Sequence, residues 1–318
     1  MTQLKTTFAG LSLRNPIIIS SSSLTNSAEK NKKLEQAGAG AIVLKSVFEE
    51  QIMMEAHHMA TYGSPEGDDY LSTYVRSHAL NEYISLIEQT KKLCTIPVIA
   101  SINCFSNSEW TDFARTVEAA GADALEINIL SLQTEKEYQY GAFEQRHIDI
   151  VSSIKKQISI PVIVKLGSNL TNQLYANGAN AVVLFNRFYQ PDINIDTMTY
   201  SAGDVFSTPA DLSNGLRWTA IASAQVPQTD YAISGGVHDG KAIVKAILAG
   251  ASAVELCSVI YQRGNQVIAD MTNEMTQWMN RQGYKDISEF KSSMNALSTG
   301  ASNPFERTQF MKYFSSKE

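Results

Sequence analysis

The chain has 318 residues, of which 44% are hydrophobic and 18% charged, and its formal net charge is −6. These proportions are typical of a globular protein. The sequence has no signal-peptide pattern and no run of about 18 apolar residues, so we expect a cytoplasmic chain without a membrane span. The acidic balance argues against a dedicated nucleic-acid binder, and three cysteines without metal-ligand spacing argue against a disulfide framework or a zinc or iron–sulfur site.

Eight short apolar runs are the strand candidates of this chain. In order they are residues 16–20, 41–46, 97–103, 124–130, 161–167, 181–186, 231–236 and 253–258. They are apolar throughout rather than alternating, which is typical of strands buried on both faces in a parallel sheet. Amphipathic stretches such as 108–121 and 145–157 lie between them and predict helices.

A helix-to-strand junction recurs four times along the chain. The copies are AGAGAIVL (37–44), AGADALEI (120–127), NGANAVVL (177–184) and AGASAVEL (249–256). In each, the glycine suits the left-handed position that follows a helix end, and a buried strand comes next. The eight strand candidates with helices between them form eight β–α units, which predict a TIM (β/α)8 barrel, one α/β domain over residues 1–318 with 298–318 as a C-terminal tail. An open doubly wound sheet is the alternative.

Three connections are long, and in a barrel such loops lie at the C-terminal face of the strands, where the chemistry of this fold is found. They cover about residues 47–95, 130–145 and 187–230. Polar side chains follow the strands at the same face. Two of them, Lys45 and Lys165, belong to apolar runs, where a lysine is costly to bury without an anion or polar ligand. Taken singly, each lysine could instead extend to solvent.

The stretch ISGGVHDG, residues 233–240, predicts a phosphate site. Its adjacent glycines, Gly235 and Gly236, allow positive φ and let a ligand approach the backbone. They follow the seventh strand and precede a helix, whose N-terminus favours an anion. In this fold the loops after strands seven and eight form the usual phosphate site, so Cys257 and Ser258 join the prediction. A plain tight turn is the alternative.

These segments together resemble the dihydroorotate dehydrogenase family, whose members are FMN-dependent TIM barrels of pyrimidine biosynthesis. The resemblance covers nearly the whole chain, and its most specific parts are PVIVKLGSN, which contains Lys165, and the block that begins AISGGVHDGKAIVKAILAG. It implies FMN as the cofactor. The residues that it places on FMN are Ser20, Ser21, Ser22, Lys45, Ser46, Asn128 and Lys165 at the ring and ribityl chain, with Gly235, Gly236, Cys257 and Ser258 at the phosphate.

The resemblance also implies a reaction on a small-molecule substrate. Ser131 aligns with the base that removes a proton from the dihydropyrimidine while flavin N5 accepts hydride, and Lys165 would stabilise negative charge on the ring. The implied substrate contacts are Lys45, Asn128, Gln133 and Asn186. A serine at the start of a loop also makes local hydrogen bonds, which is the alternative for Ser131. By analogy with the family we expect a homodimer.

Several positions depart from the family pattern. Leu132–Gln133 replaces a Pro-Asn pair that follows the base, and residues 211–214 replace a Gly-Leu-Ser-Gly segment. Residues 47–95 lack the motif with which the family binds its substrate. The polar candidates in that region are His57, His58, Arg76 and His78, and no metal site is predicted. Three other functions stay open: a family oxidoreductase with a different small substrate, a flavin-binding partner subunit, and a cofactor-free barrel with Lys165 as a Schiff-base lysine.

Overall fold

The computed structural model describes residues 2–48, 68–104, 110–129, 141–167, 171–186 and 190–298. Eight parallel strands close into a barrel in which each strand pairs with the next and the eighth pairs with the first, and a ninth, two-residue strand, Val47–Phe48, pairs with the C-terminal end of the third. The eight barrel strands are β1 Ile17–Ile19, β2 Ala41–Val43, β3 Val98–Cys104, β4 Ala124–Ile129, β5 Val162–Leu166, β6 Ala181–Leu184, β7 Asp230–Ser234 and β8 Ala253–Leu256. The predicted TIM barrel is therefore confirmed, and closure excludes the open doubly wound sheet.

Helices connect the strands. In the described residues they are α1 Ala28–Gln36, α2 Asp68–Leu93, α3 Trp110–Ala119, α4 Ala142–Lys155, α5 Thr171–Ala176, α6 Leu212–Gln225, α7 Gly240–Ala249, α8 Ser258–Arg263 and α9 Gln266–Gln282. The predicted helices at 108–121 and 145–157 correspond to α3 and α4. Two of the long connections are not loops throughout, because α2 lies in 47–95 and α6 lies in 187–230.

An N-terminal hairpin closes the barrel at the N-terminal ends of its strands. Its antiparallel strands are Thr6–Phe8 and Leu11–Leu13, and Phe8 and Leu13 are buried. The hairpin is held at the start of the last two barrel strands, where the N–H of Ala9 donates to Asp230 and the hydroxyl of Thr6 donates to the carbonyl of Ser252. It packs with inward-facing alanine, valine and isoleucine residues of the strands into a separate inner core.

Side-chain alternation divides each barrel strand between two environments. On β4, Leu125 and Ile127 pack outward against the helices, whereas Ala124 belongs to the inner core. Glu126 and Asn128 therefore point into the barrel above Ala124. The interior is apolar at the hairpin end and polar towards the C-terminal ends of the strands, which is where the fold positions a site.

A second hairpin stands out on the surface, within the connection that follows β6. Its strands, Pro191–Asn194 and Thr199–Ala202, are antiparallel and pair only with each other in the described residues. Ile195, Met198 and Tyr200 are 82%, 88% and 83% exposed, which is unusual for three apolar side chains on one hairpin. Across the described ranges, no helix is long and apolar enough to cross a bilayer.

Candidate active site

A lysine and two glutamates meet inside the barrel. Lys165 on β5 is 5% exposed, and its Nζ lies 2.5 Å from Glu255 Oε2 on β8 and 3.8 Å from Glu126 Oε1 on β4. Ser20, directly after β1, accepts a hydrogen bond from Lys165 Nζ at 2.9 Å and donates one to Glu255 Oε2 at 2.9 Å. Three strands of the barrel thus supply one buried ionic cluster, and the serine that follows a fourth strand hydrogen-bonds to it.

Burial and charge act differently on the members of this cluster. Burial alone would lower the pKa of Lys165, but the carboxylates of Glu255 and Glu126 raise that pKa above its ordinary value. Burial would raise the pKa of Glu255, yet the Lys165 charge and several hydrogen bonds lower it below the ordinary value. Burial and the Glu255 charge raise the pKa of Glu126 well above its ordinary value, and Lys165 offsets this only in part. Lys165 is therefore a cation, and Glu255 is its counter-ion.

A chain of hydroxyl groups runs beside this cluster. Ser21 Oγ lies 2.8 Å from Ser46 Oγ, which lies 2.7 Å from Ser101 Oγ, and Asn128 Nδ2 donates to Ser101 Oγ at 3.2 Å. Helix α2 contacts this chain of hydroxyl groups at Ser101. The phenol of Tyr83 accepts a hydrogen bond from the N–H of Ser101 at 2.6 Å and donates one to the Ser101 carbonyl. Of the predicted cofactor residues, Ser46 is thereby held by Ser101, and Ser21 is held by Ser46.

A cavity of about 220 Å3 opens at the C-terminal ends of β7 and β8. It is lined by many of the predicted site residues together with neighbours that the prediction did not include: Ser20, Ser21, Lys165, Asn186, Val205, Ser207, Ser234, Gly235, Gly236, Val237, Glu255, Cys257 and Ser258. The two glycines have φ of +91° and +75°, as the sequence predicted for a turn of this kind. The structure brings the loops after the last two strands into one site with Lys165.

The two glycines are required for different reasons. A Cβ on Gly235 would meet nothing within 4 Å, so the backbone there faces open space. A Cβ on Gly236 would lie 2.1 Å from the backbone nitrogen of Leu212, at the start of α6. Gly236 is therefore needed for packing against α6, and only Gly235 leaves room at its α-carbon for a ligand.

The helix after the Gly-Gly turn has its first N–H groups already occupied. Asp239 caps α7 by accepting from the N–H of Ala242 at 2.7 Å, and Glu274 on α9 accepts from the N–H of Gly240 at 2.7 Å. The interpretation of this helix N-terminus as part of an anion site is therefore wrong for those two donors, since carboxylates of the chain fill that role. The residues of the two loops, 235–237 and 257–258, line the cavity together with the neighbours named above.

Other predicted residues lie outside this cavity. Lys45 and Ser46 line a second cavity of about 540 Å3, together with Asn26, Val47, Phe48, His78, Ala79, Glu82, Tyr83, Ser85 and Leu86. Ser22 caps the short 3-10 helix Ser23–Thr25 by accepting from the N–H of Leu24, so its hydroxyl has a structural partner. Ser21 connects the two cavities, because it lines the smaller one and hydrogen-bonds Ser46 in the larger.

Several predicted positions lie outside the described residues. They include Ser131, the candidate base, and Gln133, the candidate substrate contact, as well as His57 and His58. Within the described ranges, no three His, Cys, Asp or Glu side chains come together as metal ligands would.

Sequence reasoning missed the two glutamates and a serine. Glu126 and Glu255 are charged residues inside apolar runs, the same signal that singled out Lys165, and applying it to acids would have found both. Ser207 lines the cavity, and its N–H donates to Ser258 Oγ at 2.9 Å while its Oγ lies 3.2 Å from His238 Nε2. It belongs to an irregular connection, so no periodic pattern marks it.

Comparison with known proteins identifies the family. Residues 3–203 match the profile named Dihydroorotate dehydrogenase, which is more than half of the chain. The chain belongs to the dihydroorotate dehydrogenase family. Its members are flavin-dependent oxidoreductases that act on a CH–CH bond, so this dihydroorotate dehydrogenase-like chain is an oxidoreductase as predicted.

Individual relatives of this family member are distant but cover most of it. The catalytic subunit of dihydroorotate dehydrogenase B (NAD(+)) from Thermoplasma volcanium is 27% identical, over 91% of this chain and 97% of the relative. A putative dihydroorotate dehydrogenase A (fumarate) from Aeropyrum pernix is 24% identical, over 90% and 96%. Subunit PreA of the NAD-dependent dihydropyrimidine dehydrogenase of Escherichia coli is 22% identical, over 90% and 75%.

A solved structure agrees in fold. The dihydroorotate dehydrogenase of Eimeria tenella, crystallised with ferulenol, superposes with a TM-score of 0.66 at 14% identity, over 91% of this chain and 87% of that chain. At this identity the likeness concerns the barrel alone.

Proposed function

We propose that this protein is an FMN-dependent dehydrogenase that oxidises dihydroorotate to orotate, with the whole chain acting as one cytoplasmic FMN-binding domain in pyrimidine biosynthesis. The observation that carries the proposal is the 220 Å3 cavity, in which the Lys165 cation, Gly235 and Ser258 come together at the C-terminal end of the barrel. The cofactor-free alternative fits less well, because a lysine held as a cation by Glu255 is a poor Schiff-base nucleophile.

The residues present fit FMN. Gly235 leaves its α-carbon open to a ligand, and the residues that line the cavity include Ser207, Ser234 and Ser258, whose hydroxyl and backbone N–H groups are of the kinds that bind phosphate oxygens. Its volume is below the range of about 300–1,000 Å3 that is usual for complete small-molecule sites. We therefore assign only part of FMN, including the phosphate, to this cavity, with Gly235, Gly236, Cys257 and Ser258 around that phosphate.

The remaining assignments place the ring near the hydroxyl chain. Ser20, Ser21, Lys45, Ser46 and Asn128 would hold it, and Ser22 would support Ser20 through the hydrogen bond from its hydroxyl to the Ser20 carbonyl. The bound flavin supplies the redox chemistry by accepting hydride. Lys165 brings a positive charge next to the ring, where negative charge develops on reduction.

The substrate would lie on residues that include Asn186, Asn128 and Lys45. In the proposal Gln133 contacts the substrate, and Ser131 removes its proton. A serine hydroxyl is a weak base, so Ser131 needs a neighbouring group or a water to accept its proton.

A second candidate is an FMN oxidoreductase of the same family that acts on a different small molecule. Leu132–Gln133 stands where the family has Pro-Asn, so the chain lacks the family's asparagine at that position. Because a site that hydrogen-bonds one substrate discriminates strongly against molecules without the matching groups, this replacement favours a different substrate. The likeness to a dihydropyrimidine dehydrogenase subunit supports a related pyrimidine ring as that molecule.

Assembly is a further part of the proposal. We propose a homodimer, and the exposed apolar side chains of the surface hairpin, Ile195, Met198 and Tyr200, support an interface there. Light scattering after size-exclusion chromatography is expected to give a molar mass twice that of the chain. The Tyr200→Lys variant is expected to give the molar mass of a single chain. A wild-type protein at one chain mass would contradict the homodimer.

The cofactor is tested by purification and analysis. We expect the purified protein to be yellow and to release FMN on denaturation, identified by chromatography against FMN, FAD and riboflavin standards. A colourless protein that binds no added FMN would contradict the proposed function, and a yellow protein that turns over no substrate would favour the partner-subunit alternative.

A further inference from the structure

Two buried glutamates face each other beside Lys165, and the proposed flavin site assigns a role to neither. Glu126 and Glu255 are 1% and 2% exposed, and both reach the same ammonium, since Lys165 Nζ lies 3.8 Å from Glu126 Oε1 and 2.5 Å from Glu255 Oε2. At this separation each carboxyl group affects the pKa of the other. Among the described residues, no donor makes a hydrogen bond of regular geometry to either oxygen of Glu126 or to Oε1 of Glu255, and the favourable interaction of the Asn128 amide with Glu126 is outweighed by burial and by the Glu255 charge. Since two carboxylates offer no donor to each other, a pair of this kind is satisfied only when one carboxyl carries a proton.

The contacts decide which carboxyl carries the proton. Glu255 Oε2 receives hydrogen bonds from Lys165 at 2.5 Å and from Ser20 at 2.9 Å, so its negative charge is stabilised. Glu126 lies 3.8 Å from Lys165 Nζ, beyond hydrogen-bond distance. A buried charge without such donors is costly. The proton therefore belongs on Glu126.

We propose that Glu126 and Glu255 share one proton, held on Glu126 and donated to Glu255, and that this pair sets the charge that Lys165 presents to the cavity. Glu255 supplies one negative charge beside the Lys165 cation, and the neutral Glu126 adds none. Both are positioning residues, since they act through Lys165. The shared proton depends only on these contacts, whereas its effect on a bound flavin rests on the proposed function.

Other titratable groups near the pair are neutral. Tyr83 reaches the interior from α2, and burial is the main reason that its pKa is raised. Cys257 follows β8, and burial likewise raises the pKa of its thiol. The remaining neighbours on β1 and β3, Ser20 and Ser101, do not ionise near neutral pH. Among the residues that the structure describes, Lys165, Glu126 and Glu255 therefore determine the charge of the cluster.

The first experiment detects the proton itself. A protonated carboxyl has a carbonyl stretching band distinct from that of a carboxylate, and the band shifts in D2O. We expect the infrared spectrum of the purified protein at pH 7 to contain such a band, and we expect Glu126→Gln to remove it. Glu35→Gln is the matched control and should leave the band, because hydrogen bonds keep Glu35 ionised. A wild-type spectrum that lacks any band removed by Glu126→Gln would overturn the proposal.

The second experiment measures the effect on the bound flavin. Glu126→Gln replaces one neutral group by another, so the midpoint potential at pH 7 should not change. Glu255→Gln removes the counter-ion of Lys165, so the potential should rise, and Glu255→Asp, which keeps the charge, should stay closer to the wild type. An equal rise in Glu126→Gln and Glu255→Gln would overturn the assignment of the proton. If the protein holds no flavin, the proposed function fails. The infrared experiment still shows whether Glu126 carries the proton.

Discussion

Lys165 Nζ and Glu255 Oε2 lie 2.5 Å apart in the barrel interior, and both side chains are almost completely buried. The pair joins β5 to β8, which are not neighbours in the sheet, across the centre of the barrel. The same lysine therefore serves both folding and the proposed cofactor site, and variants of Lys165 report on both.

Removing the cation should destabilise the fold. Lys165→Met leaves Glu255 buried without a counter-ion, and we expect it to lower the free energy of unfolding by about 3–5 kcal/mol at pH 7. Lys165→Met combined with Glu255→Met removes both charges and should recover most of that loss. Urea denaturation of the three proteins measures the difference, and a double variant no more stable than Lys165→Met would contradict the ion pair.

The raised pKa of Glu126 predicts an effect of pH on stability. The native state keeps a proton on Glu126 that the unfolded chain releases above its ordinary pKa, so Glu126 contributes less stability as pH rises. Relative to Glu126→Gln, which does not titrate, the wild type should lose about 1.4 kcal/mol per pH unit above pH 5, until its folded-state pKa is reached. Parallel denaturation curves from pH 5 to pH 8 test this. A difference between the two proteins that does not vary with pH would contradict it.

The Gly-Gly turn gives a matched pair of variants. Both glycines have positive φ, so an alanine at either should cost about 1–2 kcal/mol of backbone strain. Only Gly236→Ala also brings a methyl group against the backbone nitrogen of Leu212, so its melting temperature should fall further than that of Gly235→Ala. Gly235→Ala should keep the fold and weaken FMN binding, because its methyl group occupies open space next to the cavity. Equal melting temperatures for the two variants would show that α6 does not constrain Gly236.

The candidate base is tested by replacing its hydroxyl. Ser131→Ala should reduce turnover by about 10²–10⁴-fold, the usual contribution of a positioned general base, and leave FMN bound. Ser131→Cys should retain activity, because a thiolate can take the same proton. Steady-state rates and the flavin content of both variants are the measurements. Undiminished turnover in Ser131→Ala would move the base to another residue.

Much of this fold follows from local patterns in the sequence. The recurrent glycine after a helix and the continuous apolar runs located all eight barrel strands, because both features depend on neighbouring residues only. The N-terminal hairpin and helix α2 were not predicted. Their roles depend on contacts with distant residues: Phe8 packs inside the barrel, and Tyr83 hydrogen-bonds Ser101.

The site was predictable in its position more than in its chemistry. Sites in a TIM barrel lie at the C-terminal ends of the strands, which predicted that Lys165 and Gly235 share one face. In the structure both residues line the same cavity. The pairing of Lys165 with Glu255 depends on strands that are 90 residues apart in sequence, so no local pattern indicates it. The occupied N-terminus of α7 likewise depends on Glu274, which approaches from a different helix.

The most direct test of the account is an anaerobic reduction. Dihydroorotate is added to the purified, oxidised protein without oxygen, and the absorbance of the flavin is followed. We predict rapid loss of the flavin absorbance, with orotate formed in equal amount. A flavin that dithionite reduces and dihydroorotate does not would contradict dihydroorotate as the substrate, and it would favour the family oxidoreductase with a different small molecule.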